Sequence, residues 1–131
     1  MTVNILIVDD CSTTRKIIAS YLKGAGYHTI SAANGVEAIE KLVTTKVDFI
    51  ITDLNMPQMD GMELLKWVRS NTPFQDLPLV ILTTEQDGLS RAKGISTGAS
   101  GFLTKPITKE LLIKEVRGIA DASKGGNYVG S

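Results

Sequence analysis

Three short runs, "ILIV", "DFII" and "LVIL", are almost continuously apolar and rich in β-branched residues. A strand with one face in water alternates apolar and polar residues, whereas a strand covered on both faces does not. These runs therefore predict strands with helices on both sides. Such coverage is typical of a parallel sheet, because each parallel neighbour needs a crossover connection that lies on a face of the sheet.

Helical patterns alternate with the strand patterns along the chain, and the last helix is followed by a different composition. The predicted fold class is α/β, a doubly wound sheet of five parallel strands with five helices. The strands are predicted at residues 3–8, 29–31, 47–52, 79–83 and 101–103, and the helices begin near Thr13, Gly35, Gly61, Gly88 and Lys109. Residues 124–131, "KGGNYVGS", are predicted to be a flexible tail or linker stub after a single domain at 1–123.

Composition excludes several classes of function. Fourteen basic and fourteen acidic residues give a net charge of zero, so we expect no direct nucleic-acid partner. One cysteine in 131 residues permits no internal disulfide and indicates a reducing compartment. The chain has no run of 18 apolar residues and no basic leader at its start. We therefore expect a cytoplasmic protein without a membrane partner.

Carboxylates follow two of the predicted strands. Asp9 and Asp10 end the first strand, and Asp53 ends the third. If the strands have the flavodoxin-like order 2-1-3-4-5, these three side chains meet at one crevice at the carboxyl edge of the sheet. Three like charges there would raise one another's pKa unless a cation were bound, and hard oxygen ligands favour Mg²⁺. A simple turn or helix cap remains the alternative for the Asp9–Asp10 pair.

Two further strand ends point to the same crevice. The fourth strand ends at Thr83, and Lys105 with Pro106 follows the fifth. A carboxylate nucleophile, a divalent cation, a hydroxyl and an ammonium are together suited to phosphoryl transfer onto Asp53. Pro106 also permits a cis peptide bond in the loop that carries the lysine.

Four motifs, "ILIVDD", "DFIITDLNMPQMDG", "VILTTE" and "GFLTKPI", occur in this order. In sequence and spacing they resemble the receiver domain of two-component response regulators over about residues 3–121, and specifically the single-domain chemotaxis-regulator type. The resemblance implies the flavodoxin-like strand order 2-1-3-4-5 that the acidic crevice requires.

The resemblance also implies a role for each matching residue. Asp53 would be the phosphoacceptor, and Thr83 and Lys105 would hold the phosphoryl oxygens. Mg²⁺ would be bound by Asp10, Asp53 and the backbone carbonyl of Asn55, with Asp9 supporting the ion through water. Phe102 would be a switch residue that turns inward when the Thr83 hydroxyl is drawn to the phosphoryl group. Asn55 and Glu85 would tune the rate of dephosphorylation.

The implied partners are a sensor histidine kinase or histidine phosphotransfer protein as phosphoryl donor, and a downstream target protein. The target would bind the surface made by the fourth helix, the fifth strand and the fifth helix. Gly88, Gly94 and Gly98 each weaken the fourth helix relative to alanine, so we expect this helix to be the soft element next to Thr83. The resemblance implies that the protein is not an enzyme and that it catalyses only the phosphorylation and dephosphorylation of its own aspartate.

Three alternatives share the same architecture. A flavodoxin-like cofactor module would need a phosphate-binding loop after the first strand, where "DDCSTTR" instead begins with two anions. A degenerate receiver would bind partners without phosphorylation. A phospho-aspartate hydrolase would need a second carboxylate two residues after the nucleophile, but position 55 is Asn, which cannot act as a general acid or base.

Overall fold

The computed structural model describes the backbone of residues 2–84 and 88–130 and the side chains of residues 2–84 and 91–122. In this part of the chain, five strands form one parallel sheet in the order β2-β1-β3-β4-β5. They are β1 (Asn4–Val8), β2 (His28–Ala32), β3 (Phe49–Asp53), β4 (Leu79–Thr83) and β5 (Gly101–Thr104). The predicted fold class and strand order are confirmed.

Among the described residues, five α-helices cover the two faces of the sheet, as the apolar strand runs predicted. They are α1 (Ser12–Gly24), α2 (Gly35–Thr44), α3 (Gly61–Ser70), α4 (Gly88–Thr97) and α5 (Lys109–Gly130). The side chain of Asn34 caps α2, because its oxygen accepts a hydrogen bond from the Glu37 N–H at 2.8 Å. Asp60 and Glu63 form a reciprocal capping box at the start of α3, which fixes the direction in which α3 leaves the rim of the sheet.

The core has two layers, one on each face of the sheet. One layer joins β1, β3 and β4 to α1 and α5 and includes Ile7, Ile51 and Leu82. The other joins the alternate strand residues to α2 and α3 and includes Phe102 of β5. Both layers bury strand residues completely, so the sheet is a rigid platform for side chains at its carboxyl edge.

Two features differ from the sequence-based prediction. A short 3-10 turn at Thr72–Phe74 lies between α3 and β4, where no element was expected. In addition, α5 continues to Gly130, so the backbone of residues 124–130 is helical where the glycine-rich composition predicted a tail. No proline interrupts α5, and glycine weakens a helix without removing a backbone donor. The domain boundary at residue 123 stays a prediction.

Candidate phosphoryl-acceptor site

The acidic crevice predicted from the strand ends is present. Val8 of β1 is paired with Thr52 of β3, so Asp9 and Asp53 are neighbours at the carboxyl edge of the sheet. Oxygen atoms of Asp9, Asp10 and Asp53 lie within 4.8 Å of one another. Asp9 and Asp53 are buried, with 1% and 8% of their surface exposed, whereas Asp10 is exposed. A cation could therefore enter from the Asp10 side and meet carboxylate oxygens, which are hard ligands of the kind that Mg²⁺ prefers.

Lys105 follows the edge strand β5, and its side chain extends into this crevice. Its Nζ lies 2.9 Å from Asp9 Oδ2 and 3.1 Å from Asp53 Oδ1. The backbone positions the side chain, because the Lys105 N–H donates a hydrogen bond to the Thr83 carbonyl oxygen at 2.8 Å. The Lys105–Pro106 peptide bond is cis, the option that the sequence allowed. One ammonium group thus bridges two buried carboxylates that belong to different strands.

Contacts from α1 hold Asp9 in place. Its Oδ1 accepts a hydrogen bond from the Cys11 N–H at 2.9 Å, and its carbonyl oxygen accepts one from Arg15 Nη1 at 2.6 Å. The role of Arg15 was missed from the sequence, since a lone arginine on a helix usually lies on a solvated face. Cys11 is the exposed N-cap residue of α1.

Asp53 is held by its own strand end and by the start of α3. Its Oδ1 accepts a hydrogen bond from the Leu54 N–H at 3.0 Å, and the Leu54 carbonyl accepts one from the Gly61 N–H at 2.8 Å. A β-carbon on Gly61 would overlap the Asp53 carbonyl oxygen and lie 3.1 Å from Leu54 Cα. Gly61 is therefore required for the close approach of α3 to the Asp53 backbone, a function that the sequence pattern did not reveal.

Burial and the neighbouring opposite charges shift the pKa of Asp53, and that of Lys105, in opposite directions. Burial raises the pKa of the Asp53 carboxyl, and the hydrogen bond and charge of Lys105 only partly offset this effect. For Lys105, burial is the largest single effect and lowers the pKa, but the hydrogen bonds and charges of Asp9 and Asp53 together outweigh it and raise the pKa of the ammonium. A bound divalent cation would favour the ionised form of Asp53 in the same way as Lys105 does.

The remaining predicted residues surround this centre. Thr83 is 3% exposed at the end of β4, and Thr83 is paired with Thr104, one residue before Lys105. Asn55 is exposed two residues beyond Asp53. Phe102 is 7% exposed and lies in the core layer on the α3 face. Glu85 lies outside the described residues, so its predicted role is not examined by the structure.

Comparisons with known proteins agree with this geometry. A family model described as the response regulator receiver domain matches residues 5–117. The chain belongs to the response regulator receiver family. This family match covers most of the 3–121 segment over which the motifs show their resemblance.

The relatives include chemotaxis proteins. The chain is 41% identical over 112 residues to chemotaxis protein CheY1 of Helicobacter pylori, covering 82% of this chain and 89% of that protein. It is 34% identical to a CheY homolog of Campylobacter jejuni, covering 92% of this chain and 95% of the relative. Among solved structures, chemotaxis protein CheY4 of Vibrio cholerae matches with a TM-score of 0.87 and 36% identity, covering 91% and 99% of the two chains. The receiver is thus of the CheY-like type.

A membrane-spanning helix is not found among the described residues, since none of their helices is both long and apolar enough. The predicted cytoplasmic location and the expected lack of a nucleic-acid or membrane partner remain predictions.

Proposed function

We propose that this receiver accepts a phosphoryl group on Asp53 from a phosphohistidine, carried by a sensor histidine kinase or a histidine phosphotransfer protein. The observation that carries the proposal is the Lys105 ammonium between Asp9 and Asp53. A lysine placed there can follow a phosphoryl group as a point charge once the Asp53 carboxylate has become an acyl phosphate. A purely structural ion pair would not require the third, exposed carboxylate of Asp10 beside it.

Mg²⁺ is the proposed cofactor. Asp10, Asp53 and the Asn55 carbonyl oxygen would bind it, and Asp9, which already pairs with Lys105, would support it through water. When bound, the ion neutralises charge on the oxygens around the transferring phosphorus. With only a few protein ligands and several retained waters, we expect the affinity to be modest.

The chain's own residues perform the transfer. An Asp53 carboxylate oxygen attacks the phosphorus and forms an O–P bond, while the P–N bond to the donor histidine breaks and its electron pair returns to the imidazole. The Lys105 ammonium and the Thr83 hydroxyl bind the phosphoryl oxygens. In dephosphorylation, water attacks the phosphorus, the bond between phosphorus and the Asp53 oxygen breaks, and its electron pair returns to the carboxylate as inorganic phosphate leaves. Asn55 with Glu85 would orient that water. The chain is therefore proposed to catalyse these two reactions of its own aspartate and no other turnover.

The proposed output is binding of a target protein at the surface of α4, β5 and α5. Two large apolar side chains are exposed on its helices, Ile95 at 52% on α4 and Leu111 at 53% on α5. They offer apolar area to a partner. Thr83 and Phe102 would link this surface to the phosphoryl group. Because the named relatives are chemotaxis proteins, we propose control of motility from the cytoplasm as the pathway.

Intact-mass measurement tests this function. The purified chain is incubated with acetyl phosphate, with Mg²⁺ or with excess chelator. We expect a mass gain of one phosphoryl group that requires Mg²⁺ and is lost in Asp53→Asn. Asp76→Asn, which removes an exposed carboxylate beyond the 3-10 turn, is the matched control and should react like wild type. An adduct that persists in Asp53→Asn, or no adduct with any phosphodonor, would contradict the proposal, and the second result would favour a degenerate receiver.

A further inference from the structure

The ring of Phe102 packs against α4 in the space that a side chain at position 94 would occupy. A β-carbon at Gly94 would overlap the Cζ and Cε1 atoms of this ring and would lie 3.5 Å from Cε2. Gly94 is buried, and Phe102 is 7% exposed. The contact therefore needs a residue without a side chain at position 94.

Backbone conformation does not explain the glycine. Gly26 and Gly98 have positive φ among the described glycines, whereas Gly94 lies inside α4 with an ordinary helical backbone. The turn that ends α4 is supplied by Gly98, whose N–H bonds the Ile95 carbonyl while the Ala99 N–H bonds the Gly94 carbonyl at 2.9 Å. Alanine at position 94 would be the better helix former. Space for the Phe102 ring is what distinguishes glycine from alanine at this position.

Arg91 lies over the same ring. It precedes Gly94 by three residues and so projects from the same face of α4. Its Cζ lies 5.5 Å from the ring centroid of Phe102, within the range of a cation–π contact. Gly94 leaves room for the ring, and Arg91 places a positive charge against it. We call these two residues the ring seat.

The ring seat lies on the same face of the sheet as Thr83. In β4, Leu79 and Ile81 belong to the core layer that contains Phe102, so the alternation of the strand directs Thr83 to that face as well. Ile81 is the register partner of Phe102, and Thr83 is two residues further along β4. A ring seated against Gly94 therefore belongs to a residue whose register partner, Ile81, lies two residues before the threonine hydroxyl that is proposed to bind the phosphoryl group.

We propose that Gly94 and Arg91 are positioning residues that keep Phe102 inward in this chain whether or not Asp53 carries a phosphoryl group. The consequence for signalling rests on the proposed function. Because an inward ring is the arrangement required by the proposed switch, the α4, β5 and α5 surface is already near its signalling arrangement. Phosphorylation then changes target binding by a smaller factor than it would if the ring had to be driven inward, since a ligand shifts only a population that is not already dominant.

NMR of the aromatic rings tests the seat directly. The chain has three phenylalanines, so Phe102→Leu assigns the Phe102 ring signals by their disappearance. Without phosphodonor, we expect nuclear Overhauser effects between the Phe102 ring and the Gly94 α-protons in wild type. In Gly94→Ala we expect the contacts between the ring and the helix to be lost. The ratio of the inward to the outward ring population should fall by at least about tenfold, which is the size of effect that overlap of buried atoms produces.

The matched control is Gly118→Ala. It adds the same methyl group to a helix glycine where a β-carbon would meet nothing within 4 Å, and we expect wild-type ring signals. Arg91→Ala leaves the opening intact and should lower the inward ratio by about threefold, as loss of an exposed cation–π contact implies. This variant decides the matter if circular dichroism shows that Gly94→Ala is unfolded. Ring signals in Arg91→Ala identical to wild type would then overturn the proposal.

The coupling to the acceptor site is measured with beryllium fluoride and Mg²⁺ as a phosphoryl mimic. We expect Gly94→Ala to bind the mimic more weakly by up to the factor by which its inward ratio falls, because the ring must first be moved. A wild-type ring without contact to Gly94, or equal mimic affinity in the folded Gly94→Ala and Gly118→Ala variants, would overturn the proposal. The ring measurement needs no phosphodonor, so failure of the seat and failure of phosphoryl acceptance are separate results.

Discussion

Replacing Lys105 by Met removes one positive charge and keeps a side chain of similar reach. The ammonium lies 2.9 Å from Asp9 and 3.1 Å from Asp53, and the Asp9 side chain is 1% exposed. After the change, each carboxylate keeps one backbone hydrogen bond, from Cys11 and Leu54 respectively, but the two charges repel without compensation. Breaking a fully buried pair costs about 3 to 5 kcal/mol. Because the Lys105 side chain is 19% exposed at the rim, we expect a loss of about 2 to 3 kcal/mol in the free energy of unfolding without divalent cation.

Binding of Mg²⁺ should restore part of the free energy of unfolding that Lys105→Met loses. With the ammonium gone, the acidic cluster binds a cation without competition, so we expect the affinity of Lys105→Met for Mg²⁺ to rise about tenfold, which corresponds to about 1.4 kcal/mol. Added Mg²⁺ therefore stabilises the variant more than it stabilises wild type.

Urea denaturation followed by the fluorescence of Trp67, the single tryptophan, measures both effects in chelator and in Mg²⁺. Lys46→Met, at an exposed position between α2 and β3, is the control and should stay within about 0.5 kcal/mol of wild type. If Lys105→Met were as stable as Lys46→Met in chelator, or if Mg²⁺ stabilised both variants equally, the account of charge balance in this crevice would be wrong.

Three further changes test the site. Asp10→Asn should leave stability unchanged, because Asp10 is exposed, but should weaken Mg²⁺ binding about tenfold and slow phosphorylation; calorimetric titration equal to wild type would refute its assignment as a ligand. Gly61→Ala should lower the free energy of unfolding by about 1 to 3 kcal/mol and slow phosphorylation, since its β-carbon would overlap the Asp53 carbonyl; a urea midpoint like that of wild type would contradict this packing. Replacing both Asn55 and Glu85 by Met should slow loss of the phosphoryl group about tenfold after donor removal, or about 1.4 kcal/mol of barrier, whereas equal decay rates would exclude their roles in orienting water.

The sequence by itself indicated the layered architecture and showed which acidic residues follow the strands. Apolar runs without alternation require helices on both faces, and that requirement alone indicates a parallel sheet. In such a sheet, residues that follow strands lie at one edge, and the strand order implied by the resemblance to receiver domains placed Asp9, Asp10 and Asp53 together at that edge. The layered architecture depends on periodicity and the choice of acidic residues on strand ends, both of which are local properties of the chain, whereas the strand order rested on the resemblance.

Tertiary structure decided how that edge is held and how it is linked to α4. The Arg15 bond to the Asp9 carbonyl and the close approach of Gly61 to the Asp53 backbone join residues whose local patterns indicate only a helix face and a helix start. The glycine at position 94 was a helix-weakening residue in the sequence, and only the position of the Phe102 ring shows what its missing side chain makes room for. Such contacts depend on the packing of elements that are distant in the chain, and a helical period carries no information about which atom lies opposite a given position.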